Sequence, residues 1–330
     1  MKILDFCQHH AKAMSETANL AGGGRLDSAV MPGAGAGPFR LGRYQVEREL
    51  GKGAMGIVYL GTDTMSGRVV AIKTTLLSQK FVPEELNEAK KRFFREAQAA
   101  GRLNHPGIVA IYDAGEENGI GYIALEYAKG GDLAPYVKPD SLLPLDKLLS
   151  IIARVAQALA YAHKNNVAHR DIKPANIVYE PKGDAVKVTD FGIARFTNTS
   201  STRTGIVRGT PSYMSPEQLA GKKIDGRSDL FSLGVALYQL ACGHLPFEGD
   251  SMAQLMFKIA NETHADIRTH NSKLPARLAA IVNKVLAKDP AQRYQDGEQM
   301  AKALRLCLQG SSAARLAVVS VHSTAPAMSV

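Results

Sequence analysis

The 330-residue chain has no tryptophan, and aromatic residues make up only 6% of it. A nucleic-acid-binding surface built from basic residues interleaved with aromatics is therefore not expected. It has only three cysteines, Cys7, Cys242 and Cys307, far apart in sequence and without a CxxC pair. That excludes a disulfide scaffold and a Cys-rich zinc site, and it points to a reduced, cytoplasmic setting. No HExxH-type spacing occurs among the nine histidines, and the His9-His10 pair reads as part of a polar terminus. The N-terminus lacks the apolar run of a secretory signal. Leu230–Phe247 carries no charge at neutral pH, but it contains Ser232, Gly234, Gln239, Gly243, His244 and Pro246. It is expected to form a helix buried inside a domain rather than a membrane span. No internal repeat is visible.

What is present is ordinary for a folded protein: 45% hydrophobic and 22% charged residues. Length alone suggests about two folding units at roughly 150 residues each. Forty Lys and Arg against 31 Asp and Glu leave a net charge of +9, which favours acidic partners without choosing among them. Residues 1–42 read as a flexible extension ending in the Gly/Ala/Pro-rich linker MPGAGAGP. Segments 44–50, 57–63 and 68–74 are rich in Val, Ile, Tyr and Leu and are split by turn residues, which predicts an antiparallel meander. A helix is predicted over 84–102, then strands over 108–115 and 121–127 around the turn Glu116-Glu117-Asn118-Gly119.

Beyond Gly130-Gly131 the pattern becomes helical. Leu148, Ile151, Ile152, Val155, Leu159 and Ala162 mark one face of an amphipathic helix. Further helices are expected over 217–221, 228–241, 251–261, 277–288 and 296–308, with residues 309–330 as a loose tail. The fold class is thus α+β. A small antiparallel-sheet lobe (about 43–127) is followed by a larger helical lobe (about 132–308), with a ligand cleft expected between them.

Gly51-Lys52-Gly53-Ala54-Met55-Gly56-Ile57-Val58 is a GxGxxGxV segment. Glycines let backbone N–H groups approach phosphate oxygens. A dinucleotide fingerprint would run directly into a helix. Here Ile57-Val58-Tyr59-Leu60 continues as a strand, so the glycines belong to a hairpin. The next strand ends Val70-Ala71-Ile72-Lys73. Lys73 either snorkels to solvent or neutralises phosphates beneath the glycine flap. Glu96 is either a helix-surface partner of Arg92 or the counter-charge of Lys73. Spacing does not decide between these.

His169-Arg170-Asp171-Ile172-Lys173-Pro174-Ala175-Asn176 and Thr189-Asp190-Phe191-Gly192 follow in order. With the glycine loop and VAIK, this set resembles the eukaryotic-like bacterial serine/threonine protein kinases over about residues 44–308. The resemblance implies a two-lobed kinase fold with ATP and Mg²⁺, or alternatively Mn²⁺, as cofactors. It implies that Asp171 accepts the proton of the substrate hydroxyl, that Lys173 and Lys73 contact phosphate, and that Asn176 and Asp190 hold the metal. Glu96 would brace Lys73, and Thr210 would contact Asp171 and Lys173. Gly51, Lys52, Gly53, Gly56 and Val58 would cover the nucleotide. Ala71 would leave room for adenine behind the gatekeeper Leu125. Glu126 and Ala128 would offer backbone groups to the base, and Asp132 would reach the ribose.

The same resemblance implies regulation. Arg170, with Arg195, would pair phosphates on an activation loop running from Asp190 to Glu217, with Thr202 and Thr204 as autophosphorylation sites. Glu217 would pair with Arg293, and Asp229 would anchor the catalytic loop. The implied partners are proteins bearing Ser or Thr, with no nucleic acid and no transmembrane segment; a homodimer is an option by analogy. The competing reading is a pseudokinase-type nucleotide-binding scaffold. It predicts replacement of Lys73, Asp171, Asn176 or Asp190, and all four are intact.

Overall fold

The computed structural model describes residues 39–53, 56–77, 83–191 and 211–322, with side chains described as far as residue 310 apart from those of 83–85. The chain divides into two compact units, Met1–Pro135 with Tyr161–Pro211, and Tyr136–Ala160 with Ser212–Val330. This division differs from a break near residue 130. The segment carrying the HRD and DFG motifs clusters with the sheet-bearing unit.

The first unit is built on β1 (Arg40–Leu41), β2 (Tyr44–Gly53), β3 (Gly56–Asp63), β4 (Val69–Leu76), β5 (Ile111–Glu117) and β6 (Ile120–Glu126). They form one antiparallel sheet in the order β1-β2-β3-β4-β6-β5. The turns follow from local chemistry. Between β3 and β4, the Asp63 carboxylate accepts from the Met65 N–H and the Ser66 hydroxyl, both at 2.9 Å. Between β5 and β6, Asn118 and Gly119 take φ of 50° and 78°, the paired positive values that a tight hairpin needs. The sheet begins earlier than the linker composition suggests. Phe39 meets Tyr59 edge-on at 5.4 Å, and Leu41 is buried with Tyr44 and Val46.

Strand alternation gives the sheet two apolar faces. Tyr44, Ile57, Tyr59, Val70, Ile72 and Tyr122 fill one core. Leu77, Ile123 and Leu125 fill the other with Ala89, Phe93 and Ala97 of α1 (Pro83–Gly101). These three α1 residues are spaced four apart, so they form one helical stripe.

A second, small antiparallel sheet was not legible in the sequence. It consists of β7 (Gly131–Asp132), β8 (Ile177–Glu180) and β9 (Ala185–Val188) in that order. Strands of two to four residues are too short to show a period. The predicted strand over 108–115 starts only at Ile111; Ile108 instead makes a parallel bridge with Val188.

α2 (Leu145–Lys164) begins in the second unit and ends in the first. Leu148, Ile151, Ile152, Val155, Leu159 and Ala162 are all buried in it, as the periodicity predicts. The second unit continues with α3 (Pro216–Leu219), α4 (Gly226–Cys242), α5 (Met252–Asn261), α6 (Ile267–His270), α7 (Ala276–Val285) and α8 (Gly297–His322). Asp225 caps α4 through the Arg227 N–H, and Gly243 at φ 82° ends it. The uncharged stretch from Leu230 is buried on all sides of α4. Among the described residues no helix is long and apolar enough to cross a membrane. α8 is a correction to the loose tail, because it runs through Gly310 to His322. One glycine costs a helix only about 1 kcal/mol, and no proline follows until Pro326.

Candidate active site

Register on β2 to β6 positions the first half of the site. Gly51 pairs with Val58, Lys52 with Ile57 and Gly53 with Gly56, so the glycine loop is the tip of a hairpin. Gly56 has φ 141°, and a Cβ there would lie 1.7 Å from the Thr74 carbonyl oxygen. Only glycine lets the loop lie this close to β4. Val58 faces Lys73, which faces Ile123; Leu60 faces Ala71, which faces Leu125. Residues opposite one another in a ladder share a face, so Val58, Ala71, Lys73 and Leu125 line the same side of the sheet. Ala128 packs on the same cluster as Ala71 and Leu125.

The second half comes from the loop between α2 and β8. Pro174 opens a short 3₁₀ turn, Pro174–Asn176, and the Asn176 N–H closes it on the Lys173 carbonyl at 2.9 Å. The Leu133 N–H donates to the carbonyls of Pro174 and Ile177, both at 3.1 Å, which ties the turn to β7. Within this loop the Lys173 ammonium donates to Asp171 Oδ2 at 2.8 Å. The Asn176 amide donates to the Asp171 carbonyl at 2.7 Å and to Asp171 Oδ2 at 3.1 Å. With its Nδ2 committed to Asp171, Asn176 can offer a ligand its carbonyl oxygen.

His169 joins this loop to the strand beside it. The Asp171 N–H donates to His169 Nδ1 at 3.2 Å, and Nε2 lies 2.7 Å from the Thr189 carbonyl. An amide N–H can only donate and a carbonyl can only accept, so the proton is on Nε2. Phe191 packs edge-on against this imidazole at 4.6 Å. Asp190 follows Thr189 with φ 69°, a left-handed conformation unusual for a residue with a side chain. Its Oδ1 lies 2.7 Å from the Lys73 ammonium. Burial pushes the Asp190 carboxyl up, but Lys73, with Lys173, outweighs that and holds it below the usual carboxylate range.

Two sets thus lie within the first unit: Lys173 and Asn176 bonded to Asp171, and Lys73 paired with Asp190, joined through the backbone where the Thr189 N–H donates to the Asn176 carbonyl at 3.0 Å. Glu96 lies on α1, its carboxylate oxygens buried. The Glu126 N–H is already spent on the Ala110 carbonyl at 2.8 Å, so its backbone could serve a base only through its carbonyl. Asp132 is not presented openly, with only 2% of its surface exposed. Its Oδ1 accepts from the Ala134 N–H at 2.8 Å, and Oδ2 is buried without a hydrogen-bond partner among the described residues. Burial pushes this carboxyl up to about 7, against the lowering effect of the Ala134 N–H. Arg170 has φ 70° and is half-buried. Thr210, Thr202, Thr204 and Arg195 lie outside the described residues. In the second unit Arg293 pairs with Glu217 at 2.7 and 2.9 Å, and Ser228 donates to the same carboxylate at 2.6 Å.

Sequence reasoning gave His169 and Lys187 no role. Lys187 on β9 pairs with Glu126, 61 residues away in sequence, and only the fold reveals that contact.

Residues 44–304 match the family model described as the protein kinase domain. The chain belongs to the protein kinase family. Its relatives there are eukaryotic-like bacterial serine/threonine kinases. This kinase domain is 41% identical over 260 residues to the serine/threonine-protein kinase PrkC of Bacillus subtilis, covering 78% of this chain and 39% of PrkC. It is 41% identical over 269 residues to PknB of Mycobacterium leprae, covering 80% and 42%. The chain therefore spans about two-fifths of the length of these curated relatives. The solved kinase domain of Mycobacterium tuberculosis PknI is 30% identical, with a TM-score of 0.67, covering 82% of this kinase and 99% of that chain. The architecture is the α+β kinase fold, with a sheet-rich small lobe and a helical large lobe.

Proposed function

We propose that the chain is a serine/threonine protein kinase that transfers the γ-phosphoryl group of Mg·ATP to Ser and Thr hydroxyls of proteins. The observation that carries this reading is the linked set Asp171–Lys173–Asn176 beside Lys73–Asp190. The donors fit a magnesium ion or Mn²⁺: Asn176 offers a carbonyl oxygen and Asp190 a carboxylate, both hard oxygen ligands. Among the described residues no cluster of three or more His, Cys, Asp or Glu could hold a metal unaided. That agrees with a site completed by phosphate oxygens and water. When bound, the cation neutralises phosphate charge and orients the transferring group.

The protein's own residues do the remaining work. Asp171 orients the incoming hydroxyl and takes its proton as the new O–P bond forms and the bond to the departing ADP oxygen breaks. Lys173, held on Asp171, offers its positive charge to the transferring group. Lys73 meets the non-transferred phosphates, with Glu96 as a second counter-charge. The glycine hairpin at Gly51, Lys52, Gly53 and Gly56 covers the phosphates, and Val58, Ala71 and Leu125 flank the base. Phosphoryl transfer needs little more than this positioning and charge neutralisation.

Activation by autophosphorylation at Thr202 and Thr204, read by Arg170 and Arg195, is part of the proposal and rests on the sequence. So is cytoplasmic placement, for which the buried free thiols of Cys242 and Cys307 are the support. The deciding experiment incubates wild type and Asp171→Asn with γ-labelled ATP, magnesium and a generic basic protein. Label on Ser or Thr in wild type alone is the expected result. A wild type that binds ATP but labels nothing, itself included, would identify a scaffold instead. Phosphopeptide mapping of the labelled enzyme tests Thr202 and Thr204.

A further inference from the structure

The strand that delivers Asp190 is tied at each residue to a different part of the first unit. The Val188 N–H donates to the Gly107 carbonyl at 2.8 Å, and the Val188 carbonyl accepts from Val109 at 2.9 Å. The Thr189 N–H donates to the Asn176 carbonyl at 3.0 Å. One residue further back, the Lys187 ammonium lies 2.9 and 3.0 Å from the two oxygens of the Glu126 carboxylate. Glu126 ends β6, the strand that carries Leu125, and its Oε2 also accepts from the Ala110 N–H at 3.3 Å. Both side chains are about one-quarter exposed, so solvent screens the pair only in part.

Resting on the kinase reading above, we infer that Lys187 is a positioning residue for Asp190, and that its ion pair with Glu126 couples the base-side strand to the metal-holding carboxylate. A left-handed aspartate persists only where its surroundings over-determine it. Lys187 supplies a side-chain anchor for β9, three residues upstream of Asp190. Without it β9 keeps its backbone ladder but loses the constraint that fixes how far it extends toward Asp190. Hard divalent ions tolerate little displacement of their oxygen ligands. The loss should therefore appear in metal affinity before it appears in fold.

The test counts free Mn²⁺ by electron paramagnetic resonance during titration of the full chain with a non-hydrolysable ATP analogue present. Metal-free affinity for the same analogue is measured alongside. Lys187→Met should weaken Mn²⁺ binding about tenfold, the usual scale for groups that orient metal ligands, with metal-free nucleotide affinity unchanged. Lys187→Arg should restore most of the affinity. Glu126→Gln keeps the side-chain shape and should reproduce the metal-selective loss, which gives an independent route if Lys187→Met does not fold. Unchanged Mn²⁺ affinity in either charge-removing variant, beside a wild type that does take up Mn²⁺ with nucleotide, overturns the role of Lys187 and leaves the kinase reading standing. Equal weakening of metal-free and metal-dependent binding also overturns it. A wild type that takes up no Mn²⁺ with nucleotide removes the kinase reading itself.

Discussion

The ammonium of Lys73 lies 2.7 Å from Asp190 Oδ1, which joins the sheet to the segment that follows β9. The two side chains are 12% and 23% exposed, so this contact is largely shielded from solvent. Lys73→Met removes the cation that a nucleotide's phosphates would meet and leaves Asp190 without its nearest counter-charge. Losing one preorganised electrostatic partner typically costs about 10²–10³ in kcat. The steady-state rate with ATP should fall by that factor, and a rate close to that of wild type would refute the assignment.

Asp171 carries a different load. Its Oδ2 is already held by Lys173 and Asn176, so the carboxylate is oriented before any substrate arrives. Asp171→Asn keeps the shape and removes the proton acceptor. General-base loss should lower kcat by about 10²–10⁴. ATP affinity, measured by calorimetry, should stay near wild type. Weakened ATP binding with kcat intact would show that Asp171 belongs to the nucleotide site and not to the proton transfer.

The sequence was most informative where the chemistry is local. The glycines, Lys73, the HRD loop and Asp190 each sit in a run of a few residues whose order restricts the fold. The hairpin reading of the glycine loop followed from β-branched residues after Gly56, and the structure has that hairpin. Apart from the Glu217–Arg293 pair that the kinase resemblance implies, contacts made by distant residues left no such trace. Lys187 and Glu126 meet across 61 positions, and β7 to β9 are too short to show alternation. Asp132 is named as a ribose contact only by the kinase resemblance, and its burial against the Ala134 turn has no local trace in the sequence.

The Arg293–Glu217 pair holds the second unit. The guanidinium is fully buried and also donates to the carbonyls of Ala287, Arg227 and Lys288. Breaking a buried pair by removing one charge usually costs about 3–5 kcal/mol. Glu217→Gln should lower the urea midpoint accordingly. Burial raises the Glu217 carboxyl, but Arg293 and Ser228 outweigh it and hold the group below its ordinary 4.5. The folded state therefore binds this proton less readily than the unfolded chain. The pair's contribution is complete above the unfolded value and is lost as pH falls through the folded one. Acid titration of Glu217→Gln should show a shallower loss of stability below pH 4.5 than wild type. Parallel curves would refute the linkage.

Asp132 gives the opposite sign. Burial raises its carboxyl from 3.8 to about 7, so the folded protein holds a proton that the unfolded chain has released. Stability should decline as pH rises from about 4 to about 7 and level off beyond, with a total on the order of 2–4 kcal/mol from this group. Asp132→Asn mimics the protonated form and should remove that decline. Urea midpoints at several pH values in this window decide it; an equally sloped variant would count against a neutral Asp132.

Two glycines separate backbone strain from close approach. Gly67 has φ 69° and open space for 4 Å around the point where a Cβ would sit, whereas Gly56 has φ 141° and a Cβ there would meet the Thr74 carbonyl at 1.7 Å. Gly67→Ala should cost only the conformational term, about 1–2 kcal/mol, and leave ATP affinity unaltered. Gly56→Ala cannot be accommodated without moving β3 away from β4, because the obstructing atom is backbone. That displacement shifts the hairpin tip at Gly53 and the facing pair Val58 and Lys73 together. Gly56→Ala should therefore weaken ATP binding at least tenfold while thermal unfolding remains cooperative. If the two variants bind ATP equally well, the closeness of the glycine hairpin to β4 has no part in holding nucleotide.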